Sequence, residues 1–243
     1  MKAMLLAAGL GLRMRPLTAA TAKPLLPLGG RALIDHALDR LVAAGVDEVV
    51  VNAHWQADRV AAHLAARAAG LHAGPHTEVV LEPALLDTGG AVRAVLARLG
   101  EAPFFIVNGD AFWLDGPAPT LARLASLFDP AAMDAALLVV RSTQVQAAIG
   151  AGDFAVDPWG LPRRPKEREI VPYVYSGVQL VSPALFAETP EGPFSMNLLW
   201  DRAIAAGRVR AVVHDGLWFH LSTPADLAEA ESNLQATAVG EGR

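Results

Sequence analysis

The hydrophobic residues of the chain follow two alternating patterns. Short runs rich in apolar and β-branched residues, bounded by glycine, proline or charged residues, are typical of strands. The uninterrupted apolar run at residues 3–8 is typical of a strand buried on both faces. Between the runs, apolar residues recur three and four positions apart, which is typical of amphipathic helices. The runs predict strands at residues 3–8, 48–51, 78–81, 104–107, 135–140, 173–181 and 209–213, and the periodic segments predict helices at 32–44, 56–69, 90–99, 196–206 and 224–234.

The order of these elements predicts the layout of the fold. Strand and helix alternate through the first 140 residues, which indicates parallel strands joined by right-handed crossovers. Residues 146–172 depart from this pattern, being rich in glycine, proline and charge, and residues 153–160 have the pattern of a β-hairpin with its turn. No linker is long enough to separate independent domains. We therefore predict an α/β/α sandwich around a mostly parallel, mixed sheet, in one domain over residues 1–243.

Composition narrows the range of functions. The 243 residues are 53% hydrophobic and 19% charged, with a formal net charge of −5, so a general nucleic-acid binder is disfavoured. The absence of cysteine excludes disulfides, thiolate zinc sites and a cysteine nucleophile. No apolar run approaches the roughly 20 residues that cross a bilayer, and charged residues interrupt the N-terminal run too early for a signal peptide. We expect a cytoplasmic protein with no membrane and no nucleic-acid partner.

A glycine-rich turn follows the first predicted strand. Residues 6–18 read LAAGLGLRMRPLT, and KPL follows at 23–25. Glycines let backbone N–H groups approach phosphate oxygens, while Arg13 offers a fork of donors and Lys23 a compact charge. A dinucleotide-binding fingerprint would need a third glycine where Met14 stands. The segment predicts a phosphate-binding loop, and the alternative is a structural connection with surface cations.

A second motif, Asn108-Gly109-Asp110, follows the buried strand at 104–107. Open α/β sheets place their ligands beyond the carboxyl ends of their strands. A carboxylate at that edge suits Mg²⁺, which prefers oxygen ligands and often bridges to substrate phosphates. The alternative is an Asx turn that leaves the strand.

A third motif is the segment EPALLDTGGAV at residues 82–92. Its glycine pair opens a predicted helix, so free N–H groups there would face a ligand. The alternative is a simple N-cap by Thr88, and the residues alone leave the two interpretations even.

With these motifs the chain resembles the sugar-phosphate nucleotidyltransferases, whose fold is Rossmann-like and of the GT-A type. The resemblance rests above all on the pattern GxGxRxxPLTxxxxKPL at residues 9–25 and extends over nearly the whole chain. It implies catalytic roles for Arg13, Lys23 and Asp110, with Asp110 as the ligand of Mg²⁺, or of Mn²⁺ or another divalent metal. The nucleotide-binding residues that it implies are Ala8, Gly9, Gly11, Arg13, Lys23, Glu82, Thr88, Gly89 and Asn108.

The resemblance also implies a second half of the site. Residues 1–140 would bind mainly the nucleotide and residues 141–243 mainly the sugar phosphate. The candidate sugar-binding residues are Asp153, Ser176, Gly177 and Asn197, each of which has turn or core chemistry as its alternative.

One segment departs from the family pattern. Where the broad family has W-x-D-x-G-T, with its aspartate as a second metal ligand, this chain has His220 and Ser222 in place of the aspartate and glycine. A neutral imidazole is a softer ligand than a carboxylate and suits transition metals better. His220 is therefore a candidate metal ligand, with a buried structural histidine as the alternative.

The implied reaction is nucleotidyl transfer, in which a sugar 1-phosphate oxygen attacks the α-phosphorus of a nucleoside triphosphate and expels pyrophosphate. Likeness to the short bacterial members favours UTP and N-acetylmuramate α-1-phosphate, in peptidoglycan sugar recycling, with GTP and mannose 1-phosphate as the alternative. A non-catalytic nucleotide-binding module and an NAD(P)-dependent oxidoreductase are the alternatives from other classes. Without an appended assembly domain, a monomer is favoured.

Overall fold

A computed structural model of the chain describes residues 1–70, 74–145 and 150–240. Within these ranges seven strands form the central sheet: β1 (Lys2–Leu6), β2 (Glu48–Ala53), β3 (His76–Leu81), β4 (Phe104–Asn108), β5 (Ala135–Arg141), β6 (Tyr173–Val181) and β7 (Val209–Val213). The α-helices of the same ranges are α1 (Leu33–Ala43), α2 (Ala57–Ala69), α3 (Asp87–Leu99), α4 (Thr120–Leu127), α5 (Met196–Ala205) and α6 (Pro224–Gly240).

The sheet has the order β7-β5-β6-β4-β1-β2-β3. Strand β6 runs antiparallel to both of its neighbours, and the other adjacent pairs are parallel. The predicted α/β fold with a mostly parallel, mixed sheet is therefore confirmed.

Helices cover both faces of the sheet. Successive side chains of a strand point to opposite faces, so a strand with apolar side chains at successive positions packs against both helical layers. In β1, Ala3 and Leu5 belong to the hydrophobic cluster beneath α1, α2 and α4, whereas Met4 belongs to the cluster beneath α3 and α5. All three side chains are fully buried. This explains why β1 reads as a continuous apolar run rather than an alternating one.

Several predicted boundaries need correction. Strand β1 ends at Leu6 rather than at residue 8, because the N–H of Ala7 donates to the side chain of Asn52 (2.8 Å) and leaves the sheet ladder. Helix α3 begins at Asp87, three residues before the predicted start, and α6 continues past residue 234 to Gly240.

The segment at 146–172 contains the predicted hairpin. Residues 146–149 lie outside the described residues. Ala155–Val156 pairs with Pro162–Arg163 in an antiparallel ribbon, so the hairpin is confirmed and extends beyond residue 160. Two further short ribbons and helix α4 were not predicted; the ribbons pair Pro27–Leu28 with Arg31–Ala32 and Phe112–Leu114 with Leu217–Phe219. Among the described residues, no helix is both long and apolar enough to cross a lipid bilayer.

Candidate active site

The candidate site lies where the order of the sheet strands reverses. Strand β1 lies between β4 and β2. The connection that follows β1 leads toward β2 and the one that follows β4 leads the other way, so a crevice forms between them beyond the strand ends. The N–H of Gly109 donates to the carbonyl of Leu6 at 2.8 Å and ties the two loops together where they leave the sheet. The glycine-rich loop and the Asn108-Gly109-Asp110 motif therefore meet at one edge.

A cleft of about 450 Å³ opens at this edge. It brings together most of the predicted nucleotide-binding residues, namely Ala8, Gly9, Gly11, Lys23, Glu82, Thr88 and Asn108. Gly89 is not part of this lining, and Arg13 lines a neighbouring cavity instead.

That neighbouring cavity has a volume of about 190 Å³. Its lining includes Arg13, Ser176, Gly177 and His220. Three residues, Lys23, Asn108 and Asp110, line both cavities. The two cavities thus adjoin at a wall that carries one cation, one amide and one carboxylate.

The cation and the carboxylate of this wall are paired with each other. Lys23 Nζ donates to Asp110 Oδ2, and the two side chains are 15% and 33% exposed. The turn that carries Asp110 is closed by a backbone hydrogen bond from Ala111 N–H to the Asn108 carbonyl (2.9 Å). The carboxylate of Asp110 therefore faces Lys23, and the turn is closed by backbone rather than by an Asx side chain.

Hydrogen bonds from Thr18 and Trp55 stabilise the glycine-rich loop. Gly11 has a φ of 61°, a left-handed conformation that glycine adopts at little cost. The buried Thr18 hydroxyl donates to the Gly11 carbonyl at 2.7 Å, and Trp55 Nε1 donates to the Thr18 carbonyl at 3.1 Å. Arg13 is exposed and, among the described residues, forms no hydrogen bond or ion pair. Its guanidinium is therefore available to an anion.

The expectation of free N–H groups at the glycine pair is wrong. Both Gly89 and Gly90 donate to the carbonyl of Phe194, at 2.9 and 3.0 Å. A Cβ atom at Gly89 would lie 2.4 Å from the Phe194 ring. Glycine is therefore required at this position because the segment that carries Phe194 packs closely against it. The proposed N-cap by Thr88 is also wrong, since its hydroxyl accepts from Met196 N–H (3.0 Å) and α3 starts one residue earlier. A role for Gly89 in nucleotide binding stays a prediction, and free N–H groups at the glycine pair no longer support it.

Two of the residues that line the cleft, Asn52 and Glu82, are largely buried polar side chains. Glu82 is 4% exposed and accepts from the Asn52 amide, and Asn52 itself is 3% exposed. Sequence reasoning missed Asn52, although an amide inside the apolar run VVVNA is a visible signal.

The predicted sugar-binding residues are dispersed. Gly177 and Ser176 line the smaller cavity, but the Ser176 hydroxyl is buried and donates to the Leu138 carbonyl at 2.9 Å. Asp153 and Asn197 do not belong to this lining. Asp153 accepts from the Tyr175 N–H at 2.8 Å, and Asn197 accepts from an Arg164 guanidinium N–H at 2.7 Å. Sugar contacts by these four residues remain predictions.

His220 lies within electrostatic reach of the shared wall. Burial is the main cause that lowers the pKa of its imidazole, and the nearby Arg13 and Lys23 cations lower it further. Asp226 and Asp110 act in the opposite direction. At neutral pH the ring is therefore neutral, and the lone pair on one of its nitrogens can bind a metal ion or accept a hydrogen bond.

The donor set around Asp110 is sparse. Over residues 1–70, 74–145 and 150–240, no group of three or more His, Cys, Asp or Glu side chains is arranged to hold a metal ion. A half-exposed carboxylate at a strand end nevertheless fits Mg²⁺, because this ion commonly takes one or two protein carboxylates and completes its shell with water and substrate phosphates.

Gly177 gives a testable link between the sugar-side strand and Asn108. Its φ is 87°, and a Cβ atom would lie 3.0 Å from Asn108 Nδ2. We expect Gly177→Ala to lower the free energy of unfolding by about 1–2 kcal/mol from the backbone alone, and further because Asn108 must move. Urea denaturation measures the loss.

Gly207→Ala is the matched control for this prediction. Gly207 has a φ of 69°, but among the described residues no atom lies within 4 Å of its added Cβ. Equal destabilisation by the two substitutions would contradict the proposed contact between residue 177 and Asn108.

Comparisons with known proteins show the family and the fold of the chain. The profile of the nucleotidyl transferase family matches residues 2–148. Over 96% of both chains, the protein is 44% identical to an N-acetylmuramate alpha-1-phosphate uridylyltransferase of Caulobacter vibrioides. It is 28% identical to a mannose-1-phosphate guanyltransferase of Aspergillus fumigatus, over 93% of this chain and 62% of that protein. Its fold matches a UDP-glucose pyrophosphorylase solved with UDP-glucose, with a TM-score of 0.81 at 16% identity over 97% of this chain and 98% of that one.

Proposed function

The chain belongs to the nucleotidyl transferase family, and from this premise we propose that it joins UTP to N-acetylmuramate α-1-phosphate and releases pyrophosphate. The observation that carries the reaction type is the pair of cavities that adjoin at Lys23, Asn108 and Asp110. The relative from Caulobacter vibrioides supports the choice of substrates. Such a reaction belongs to sugar nucleotide synthesis, and with this acceptor to the reuse of peptidoglycan sugars.

In the proposed reaction, a phosphate oxygen of the sugar 1-phosphate attacks the α-phosphorus of UTP. The new bond joins that oxygen to the α-phosphorus, and the bond between the α-phosphorus and its bridging oxygen to the β-phosphate breaks. Pyrophosphate takes the electron pair. An ionised phosphate is already a nucleophile, so the protein needs no catalytic base. Its task is to align two anions and offset their repulsion.

Each cavity takes one substrate in this proposal. The larger cleft holds the nucleotide, with its triphosphate over Ala8, Gly9 and Gly11, its ribose near Asn108 and its base toward Thr88. The smaller cavity holds the phosphate end of the sugar, beside Gly177 and Arg13. The division into a nucleotide half and a sugar half at about residue 140 is part of the same proposal.

Charge at the shared wall supports phosphoryl chemistry. Arg13 has no hydrogen-bond or ion-pair partner within the described ranges, and Lys23 is held at the carboxylate of Asp110. A divalent cation, when bound at Asp110, would screen the repulsion between the phosphates and polarise the reacting phosphoryl group. Such a cation would compete with Lys23 for the carboxylate and leave its ammonium group for the phosphates.

The test of this proposal is a matrix of pyrophosphate-release assays, with four nucleoside triphosphates against a panel of sugar 1-phosphates. We expect the largest kcat/KM for UTP with N-acetylmuramate α-1-phosphate. Preferred turnover of GTP with mannose 1-phosphate would reject this substrate choice and keep the reaction type.

His220 is proposed as a second metal contact, direct or through water. We expect His220→Asp to shift the preference toward Mg²⁺ over Mn²⁺ and Co²⁺, because a carboxylate is a harder ligand than imidazole. Activity measured with each of the three metals checks this. His220→Asn is the control, since it removes the imidazole without adding a carboxylate and should not improve activity with Mg²⁺. An unchanged metal profile in His220→Asp would argue against ligation.

A further inference from the structure

Asn52 is a buried amide near the carboxyl end of β2, the strand that pairs with β1 and β3. It is 3% exposed, and its neighbours Val51 and Ala53 are fully buried. Its Oδ1 accepts from the N–H of Ala7 at 2.8 Å, and its Nδ2 donates to Glu82 Oε1 at 2.7 Å. An unpaired amide at such a position would be costly, so both of these bonds matter for the site.

The orientation of the Asn52 amide is determined by its partners. The backbone N–H of Ala7 can only donate, so an oxygen must face it. With its oxygen at Ala7, the amide turns its NH₂ group toward Glu82 and donates to Oε1 of that side chain. The amide thus acts as an adaptor between a donor on one loop and an acceptor on another.

Glu82 extends the chain of hydrogen bonds to a third segment. Its second oxygen accepts from the N–H of Leu86 at 3.3 Å. Glu82 as a residue is 4% exposed, and both of its side-chain oxygens accept hydrogen bonds within the protein. A side chain in this state is better suited to holding backbone in place than to making new contacts with a ligand.

Both ends of this series of hydrogen bonds adjoin residues that line the larger cleft. Ala7 directly precedes Ala8 and Gly9, which belong to its lining. Leu86 directly precedes Asp87 and Thr88, which also belong to its lining. Asp87 has a φ of 57°, a left-handed conformation that is uncommon for a non-glycine residue and must be held by its surroundings.

We propose that Asn52 and Glu82 are a positioning pair that sets the spacing between the phosphate loop at Ala8 and the loop at Thr88. This inference rests on the proposed function for the identity of the ligand, a nucleoside triphosphate whose two ends contact the two loops. The pair acts through the N–H groups of Ala7 and Leu86. Glu82, which the family resemblance implies as a nucleotide-binding residue, acts in this proposal through Leu86.

Reversal of the pair's polarity provides the test. Asn52→Asp places two carboxylates against each other. Glu82→Gln on its own leaves the new NH₂ group facing another donor, either the NH₂ of Asn52 or the N–H of Leu86. Each single variant loses a buried hydrogen bond. The double variant Asn52→Asp/Glu82→Gln restores the set. The carboxylate introduced at position 52 accepts both from the N–H of Ala7 and from the amide introduced at position 82, whose oxygen accepts from Leu86. The double variant also keeps the net charge of the pair.

We expect each single variant to raise the Kd and KM for UTP by about 10-fold, the equivalent of one buried hydrogen bond, with little change in the KM for the sugar 1-phosphate. The double variant should recover most of this loss. UTP binding by calorimetry in the presence of Mg²⁺ and steady-state kinetics with both substrates give the two readouts.

Glu78→Gln is the matched control, since Glu78 lies on β3 away from the cleft and pairs with the exposed Arg98. It makes the same chemical change and should leave both KM values unaltered. A double variant no better than Asn52→Asp, or an equal rise in both KM values, would overturn the positioning role. If the unmodified protein releases no pyrophosphate with any substrate pair, the proposed function fails, while the Kd values for UTP still decide the role of the pair.

Discussion

Asp110→Asn is expected to lower kcat by about 1,000-fold, the largest single effect in the protein. The substitution keeps the size of the side chain and removes its charge at the wall shared by both cavities. Loss of a metal-holding carboxylate removes several kcal/mol of charge stabilisation in the transition state, and each 1.36 kcal/mol is a factor of ten in rate. Pyrophosphate release at saturating substrate concentrations measures it.

Asp39→Asn is the control for this prediction. Asp39 lies on α1, where it pairs with Arg31 and Arg67, so the variant makes the same change far from the cleft and should keep full activity. Residual activity above about a tenth in Asp110→Asn would contradict the assignment of Asp110 as the metal anchor.

Lys23→Met should lower kcat by roughly 100-fold, as loss of a preorganised positive group near a developing negative charge commonly does. The same variant has a second expected effect that distinguishes charge loss from general damage. Lys23 holds the carboxylate of Asp110, so its removal should strengthen binding of Mn²⁺ to the nucleotide-free protein. Metal titration and kinetics on one sample check both effects.

Lys23→Arg keeps the charge and should retain more activity than Lys23→Met, although its longer, planar head fits the site less well. Weaker Mn²⁺ binding by Lys23→Met would show that Lys23 does not compete for Asp110. A kcat within about twofold of that of the unmodified protein would remove Lys23 from the transition state.

Much of the fold could be predicted from sequence, because most strands of the sheet are short, largely buried apolar segments. The edge strand β3, whose residues are half-buried or exposed, is the exception. The ribbon between Phe112–Leu114 and Leu217–Phe219 could not be predicted. It pairs three-residue strands about 100 positions apart, and neither strand is long enough to show a periodic pattern of hydrophobic residues. Helix α4 was missed because it is eight residues long and buries little more than one narrow stripe.

In the candidate site too, local sequence patterns predict some features, and contacts between distant residues determine the others. The glycine-rich loop and Asp110 follow buried strands, so their meeting at one sheet edge follows from the topology. The pairing of Lys23 with Asp110 joins residues 87 positions apart, and no local pattern encodes it. The local sequence predicts free N–H groups at Gly89 and Gly90, because their acceptor, the Phe194 carbonyl, comes from a segment more than 100 residues later.

The most direct test of the two-substrate site is to trace the phosphorus atoms of the nucleotide. UTP labelled at the α-phosphorus, and separately at the γ-phosphorus, is incubated with the protein, Mg²⁺ and N-acetylmuramate α-1-phosphate. We expect the α label in a UDP-sugar and the γ label in pyrophosphate, in equal amounts. Appearance of the α label in UMP or UDP alone, or nucleotide binding without release of pyrophosphate under any divalent metal, would contradict nucleotidyl transfer at the wall formed by Lys23, Asn108 and Asp110.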